Sequence, residues 1–194
     1  MFRNLQPLVL ASGSPRRREM LAELGLEFTV AVAAIAEVAG AGEGPADFAR
    51  RLALEKAAAV APGFPEAWVL GADTVVVLED RILGKPADAG QAEAMLAALS
   101  GREHTVWTAF ALCRGREQAV AAVSTRVWFA ELDPALIRAY VATGEPLDKA
   151  GAYGVQGRGG ALVAKIEGSV SNVIGLPLAE VTTALITHDI IVPS

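Results

Sequence analysis

The segment Leu10-Ala11-Ser12-Gly13-Ser14-Pro15-Arg16-Arg17 carries a short apolar run through small residues into a proline-led helix start. Such a turn offers free backbone N–H groups at the positive end of a helix dipole, so phosphate and other anions are its natural ligands. The hydroxyls of Ser12 and Ser14 and the guanidinium forks of Arg16 and Arg17 add donors suited to phosphate oxygens. The same residues also describe an ordinary capped helix with a solvated basic face, and spacing alone does not separate the two.

A second group centres on Asp73, an acid inside the apolar run Leu70-Gly71-Ala72-Asp73-Thr74-Val75-Val76-Val77. A carboxylate in such a strand is costly to bury unless it is paired, bound to metal or facing a cleft. Gly71 and Ala72 are small enough to let a ligand approach the backbone. The alternative is a strand-end aspartate satisfied by neighbouring amides. Lys56, on a helix stripe that is otherwise apolar, and Lys85, in Gly84-Lys85-Pro86, could each neutralise a triphosphate; taken singly, each also reads as a plain solvated lysine. Glu37 lies in an Ala- and Val-rich stretch without a local charge partner. It is a candidate hard-metal ligand beside Asp73, since Mg²⁺ takes one or two carboxylates together with phosphate oxygens and water.

The elements needed to position these residues follow from periodicity and punctuation. Leu8–Leu10 reads as a strand, and Ser14-Pro15 caps a helix over Arg16–Leu24 that Gly25 closes. Phe48, Leu52 and Ala59 recur at helical spacing in a helix from Ala46 to Ala61, stopped by Pro62-Gly63. Trp68–Leu78 is a buried strand turning at Glu79-Asp80 into Arg81–Leu83. A helix over Asp88–Leu99 precedes two long strands, Thr105–Cys113 and Ala119–Ala130, which pair antiparallel across Arg114-Gly115-Arg116-Glu117. Asp133-Pro134 caps a helix to Val141. Glu145–Gly160 is glycine-rich loop, Ala161–Ile166 a strand and Pro177–Ile186 the last helix. Strands alternate with helices and also meet in hairpins, so the fold class is α/β with a mixed, twisted sheet and flanking helices, in one continuous domain over residues 1–194.

Composition limits the partners. With 53% hydrophobic and 20% charged residues among 194, a sizeable core can form. Acids outnumber bases 22 to 17, so the overall field repels nucleic acid and anionic membranes, and an anionic ligand must be held by a local basic patch. The apolar run Leu8–Ala11 is too short for a signal-peptide core and no stretch approaches the roughly 18 residues that span a bilayer. Cys113 is the single cysteine and no Asn-X-Ser/Thr acceptor occurs, so a reducing, cytoplasmic setting is expected.

Several chemistries are missing. There is no Walker loop, and Gly154-Val155-Gln156-Gly157-Arg158-Gly159-Gly160 lacks the glycine order of a dinucleotide fold. His104 and His188 have no zinc spacing and are expected at the surface or in turns. Cys113 is expected in the core rather than as a nucleophile.

Taken in order, these segments resemble the Maf family of nucleoside triphosphate pyrophosphatases, nearly end to end. The resemblance rests on Leu10-Ala11-Ser12-Gly13-Ser14-Pro15-Arg16-Arg17, Gly71-Ala72-Asp73-Thr74, Gly84-Lys85-Pro86 and Leu99-Ser100-Gly101. It continues through Gly144-Glu145-Pro146-Leu147-Asp148-Lys149-Ala150-Gly151-Ala152-Tyr153-Gly154-Val155-Gln156-Gly157 and the run from Glu167 to Leu178. It implies an inosine-triphosphatase-like fold with two lobes around a cleft, Asp73 as the proton acceptor or metal-linked acid, and Lys56, Lys85 and Glu37 completing the catalytic group. It also implies that Arg16, Thr74 and Gln156 choose the base, with wording similar to the dTTP and UTP branch. Mg²⁺ or Mn²⁺ as cofactor, bound by Asp73 and Glu37, and a homodimer follow on the same ground. Members usually carry Asp-Glu where this chain has Ala36-Glu37, and Val170 stands where an aromatic is common. A nucleotidyltransferase and a nucleotide-binding regulator of cell division without turnover are the alternatives.

Overall fold

Prolines and capping side chains start the helices at the positions the local sequence dictates. In a computed structural model describing residues 1–194, the elements are β1 (Phe2–Asn4), β2 (Leu8–Leu10), α1 (Pro15–Glu23), β3 (Thr29–Val30), α2 (Pro45–Val60), β4 (Trp68–Leu78), β5 (Arg81–Leu83), α3 (Ala89–Leu99), β6 (Glu103–Arg114), β7 (Glu117–Phe129), α4 (Pro134–Val141), β8 (Val163–Glu167), α5 (Val170–Ile174), α6 (Leu178–Thr187) and β9 (Ile191–Pro193). The Asp88 side chain caps α3 by accepting from the Gln91 amide at 2.8 Å, and Asp133 caps α4 through the Ala135 amide at 2.6 Å. Gly144, at φ 75°, follows α4 in the left-handed conformation that favours glycine.

The sheet is mixed, as expected. β2 runs parallel to β3 and β4, while β5 pairs antiparallel with β4 and β8 antiparallel with β7. The strand order is β3-β2-β4-β6-β7-β8, with β5 added on β4. The β6–β7 hairpin turns through Gly115 and Arg116 alone, Gly115 supplying a φ of 57°.

The chain forms two compact units. One comprises Met1–Asp73, Thr108–Val123 and Gly175–Ser194; the other comprises Thr74–Trp107 and Ser124–Ile174. In the first, Leu10, Leu21, Leu52, Trp68, Leu70, Leu112, Leu176 and Leu185 form a fully buried core. Its chain ends pair antiparallel, Phe2 opposite Pro193 and Asn4 opposite Ile191. In the second, α3 and α4 pack with Val76, Leu78, Val127, Phe129 and Tyr153 around a core of their own.

Some expectations are revised. Ala59 is exposed, because α2 buries Phe48, Ala49, Leu52, Ala53, Ala57 and Val60, a stripe centred between Leu52 and Ala53 that leaves Ala59 at its margin. Glu145–Gly160 is not plain loop: Glu145–Asp148, Ala150–Ala152 and Arg158–Leu162 are short 3₁₀ turns. His104 is 2% exposed within β6, not a surface residue, and its Nε2 meets the Tyr153 hydroxyl at 2.8 Å. Cys113 is buried in the strand, as expected. No helix is long and apolar enough to cross a membrane.

Candidate active site

Helix α2 lies against β4 at backbone contact, and the contact depends on Gly71. A Cβ built there would stand 2.2 Å from the Ala53 carbonyl oxygen and 2.8 Å from the Ala57 amide nitrogen. The space left by Gly71 is therefore filled by helix backbone, not by a ligand, which corrects the sequence expectation for this residue. The close approach sets Lys56, one residue before Ala57, beside Asp73, two residues after Gly71. The Lys56 ammonium donates to Asp73 Oδ1 at 2.5 Å and meets Glu37 Oε1 at 2.7 Å. The Asp73 side chain is only 9% exposed, whereas Glu37 is 44% exposed. Burial raises the Asp73 pKa above the ordinary carboxylate value; Lys56 and Arg17 oppose the shift and Glu37 adds to it.

Glu37 sits in a segment without regular structure that is tied to α2 by Arg51. That guanidinium grips both Glu43 oxygens, at 2.7 and 2.8 Å, and donates to the Val38 carbonyl at 2.9 Å. The Arg51 bonds and the Gly40 amide hold the Glu43 carboxyl at about 2. Arg51 and Glu43 drew no notice in the sequence, because a helix arginine eight residues from an acid has no standard spacing to mark it.

The Ser12–Arg17 turn folds as a braced loop. Ser14 caps α1 from the position before Pro15. The Ser12 hydroxyl accepts from the Ser14 amide at 3.2 Å and from an Arg17 terminal nitrogen at 3.1 Å. The same Arg17 nitrogen donates to the Ala72 carbonyl at 2.9 Å, and Arg17 Nε donates to the Gly175 carbonyl at 2.8 Å. Burial lowers the Arg17 pKa, with Asp73 pulling upward and Arg16 downward; a guanidinium still keeps its charge. Arg17 thus locks Ser12 in the loop after β2, the strand residue before Asp73, and the residue before Leu176 into one arrangement, while Arg16 is half-exposed on the first turn of α1.

The structure brings Ser12, Arg17, Glu37, Lys56 and Asp73 together in the first unit, with Ser14 and Arg16 on the same turn. Thr74, half-buried in β4, exposed Lys85 before Pro86, and exposed Gln156 belong to the second unit. No group of three or more His, Cys, Asp or Glu side chains has the arrangement of a metal cage. A pair of carboxylates already sharing one cation, the Lys56 ammonium, is nevertheless a donor set of the kind a hard divalent ion takes alongside phosphate oxygens. Chemically, the cluster combines a buried acid, an ammonium and a hydroxyl-lined helix start.

Comparison with known proteins agrees with this arrangement of motifs. A family model described as Maf-like protein matches residues 7–188. The chain is 51% identical over 193 residues to a Desulfotalea psychrophila protein named dTTP/UTP pyrophosphatase, covering 98% of this chain and 99% of that relative. Relatives of the same name from Symbiobacterium thermophilum and Myxococcus xanthus are 55% and 56% identical, over 90% and 92% of this chain and 90% of each relative. Among solved structures, the Staphylococcus aureus Ham1 protein is similar with a TM-score of 0.48 and 14% identity, covering 65% of this chain and 73% of that one. Matched along nearly its whole length by the family model and by relatives at about half identity, the chain belongs to the Maf family.

Proposed function

We propose that this chain is a nucleoside triphosphate pyrophosphatase acting on dTTP and UTP, releasing the nucleoside monophosphate and pyrophosphate. The observation that carries the reading is the Lys56–Asp73–Glu37 cluster beside the Ser12–Arg17 helix start, in a chain whose near-full-length relatives bear that activity in their names. Water attacks the α-phosphorus, the bond from that phosphorus to the α,β-bridging oxygen breaks, and pyrophosphate leaves with the electron pair. The Asp73 carboxylate orients the water and takes its proton. Ser12, Ser14, Arg16 and the positive end of the α1 dipole hold phosphate oxygens, and Arg17 holds that loop rigid while adding its charge. Lys56 and Lys85 offset the charge on the departing pyrophosphate; phosphoryl-type transfer consists mostly of such positioning and electrostatics. Thr74 and Gln156 select the base, since an amide offers a donor and an acceptor to a pyrimidine edge.

Mg²⁺ or Mn²⁺, held by Asp73 and Glu37, would add Lewis-acid polarisation of the phosphate when bound. The chain acts as one Maf-like domain over residues 1–194, as a homodimer, in the cytoplasm; the lone buried Cys113 suits a reducing compartment.

Product analysis without any acceptor tests the reading: the purified chain with each common nucleoside triphosphate, in Mg²⁺ and separately in Mn²⁺, is assayed for monophosphate and pyrophosphate. Stoichiometric release of both from dTTP and UTP is expected. Pyrophosphate release only when an acceptor is added indicates nucleotidyl transfer, and binding without turnover in either metal indicates a regulator; both outcomes contradict hydrolysis.

A further inference from the structure

Glu145 opens the 3₁₀ turn after Gly144, and its carboxylate serves no residue of the cluster around Asp73. One oxygen accepts from the Tyr140 hydroxyl at 2.9 Å and from the Gly159 amide at 3.1 Å; the other accepts from the Arg158 amide at 3.2 Å. The Tyr140 hydroxyl in turn accepts from the Gly154 amide at 3.2 Å. Both ends of the Gly154–Gly160 segment therefore hang on one carboxylate–phenol couple, and Gln156 is exposed between them.

The segment is folded tightly on itself around this anchor. A Cβ at Gly159 would lie 2.5 Å from both the Gly154 carbonyl oxygen and the Tyr140 hydroxyl, and one at Gly160 would lie 2.8 Å from the Val155 carbonyl oxygen. Gly157, at φ 84°, stands against the Glu145 carboxylate, where a Cβ would be 3.1 Å from an oxygen. From the preceding turn, the Lys149 ammonium donates to the Glu145 carbonyl at 2.7 Å, and its stem packs over Gly154. Tyr153 is fixed by His104 and by an edge-to-face contact with Phe129. The Glu145 carboxylate accepts charge-assisted bonds from two of the segment's backbone amides and from the phenol that holds a third.

We propose that Glu145 is a positioning residue for base selection: it holds the Gly154–Gly160 segment in the one shape that presents Gln156 to the nucleobase. The proposal rests on the pyrophosphatase reading. A carboxamide at position 145 cannot replace the carboxylate, because its N–H₂ would face either the Arg158 amide, donor to donor, or the Gly159 amide.

The test is a double-mutant cycle on kcat/KM for dTTP and CTP, two pyrimidine triphosphates that differ in their donor and acceptor edge, using wild type, Glu145→Gln, Gln156→Ala and the double variant. Glu145→Gln is expected to lower the preference for dTTP over CTP about fivefold, mostly through KM, as loss of one or two hydrogen-bonded supports allows. The double variant is expected to discriminate no worse than Gln156→Ala alone. Equal slowing with both triphosphates, an unchanged preference, or single losses that multiply in the double variant overturns the proposal. So does a wild type that takes both substrates equally well. Tyr140→Phe, which removes only the hydroxyl, serves if the glutamine variant folds poorly, and the same shift in preference is expected. Hydrogen exchange of the amides at 154, 158 and 159 gives a readout independent of turnover. Exchange about tenfold faster in Glu145→Gln, confined to that segment, supports the anchor even if no triphosphate is hydrolysed. Unchanged exchange overturns it, whatever becomes of the activity.

Discussion

Lys56 meets two carboxylates whose surroundings differ: Asp73 is 9% exposed and Glu37 is 44% exposed. Its charge matters chiefly to the buried partner, because water screens much of the attraction at Glu37. Replacing Lys56 with methionine keeps the stem and removes the charge, leaving Asp73 desolvated with Glu37 nearby. The expected cost is about 3 kcal/mol of folding free energy, limited by Asp73 taking up a proton, together with loss of most pyrophosphate release. Urea denaturation of both proteins at neutral pH measures it; an unchanged midpoint and slope would show that the pair contributes nothing to stability. Asp73 and Lys56 were legible in the sequence because a charge inside an apolar run is conspicuous. The bonds of Arg17 to Ala72, Gly175 and Ser12 were not, since a basic run after a capped turn looks the same whether it faces solvent or braces backbone carbonyls.

At the scale of elements, the site depends on how near α2 lies to β4, and Gly71 sets that distance. Gly71→Ala forces a methyl group against the Ala53 carbonyl and the Ala57 amide, backbone atoms that yield only if helix or strand shifts. The expected destabilisation is about 2–3 kcal/mol, a fall in Tm of roughly 5–10 °C for a chain of this size. Activity should fall as well, since Lys56 rides on the displaced helix. Thermal unfolding followed by circular dichroism checks this, and a Tm equal to wild type would mean that the contact is slack. Helix starts at Pro15, Pro134 and the Asp88 cap, and the turns after Leu78 and Arg114, were readable because each depends on local residues. Gly71 was misread as room for a ligand because the sequence marks a missing side chain without saying what fills the gap. The turns within Glu145–Gly160 escaped for a related reason: their shape is imposed by Glu145 and Tyr140, not by the glycines alone.

For the molecule as a whole, a net charge of −5 leaves binding of a triphosphate to local groups, while buried titratable side chains make folding sensitive to acid. His104 is the clearest case. Burial among Phe129 and Tyr153 lowers its pKa from 6.5 to about 4. Below pH 6.5 the unfolded chain takes up a proton that the folded chain refuses. His104 therefore costs no stability above that value and progressively more as the pH falls towards 4. Between pH 7 and pH 5 the loss attributable to this residue is about 2 kcal/mol. In urea titrations at both pH values, His104→Phe should lose correspondingly less stability than wild type over that interval; equal losses would contradict the buried neutral imidazole. The alternation of helices and hairpins was enough to predict a mixed α/β sheet. The β1–β9 pairing was not predictable, because two three-residue strands at opposite ends of the chain carry no local sign of each other. The burial of His104 was hidden likewise, since its neighbours Phe129 and Tyr153 are distant in sequence.

Triphosphate hydrolysis as proposed depends on the Asp73 carboxylate to activate the attacking water. Asp73→Asn keeps the size of the side chain and its ability to pair with neighbours, so the most direct measurement is pyrophosphate release from dTTP by this variant, shown by circular dichroism to be folded. A fall of about 10²–10⁴-fold in kcat, the usual worth of a positioned general base, is predicted. A folded variant that releases pyrophosphate at the wild-type rate would contradict the account.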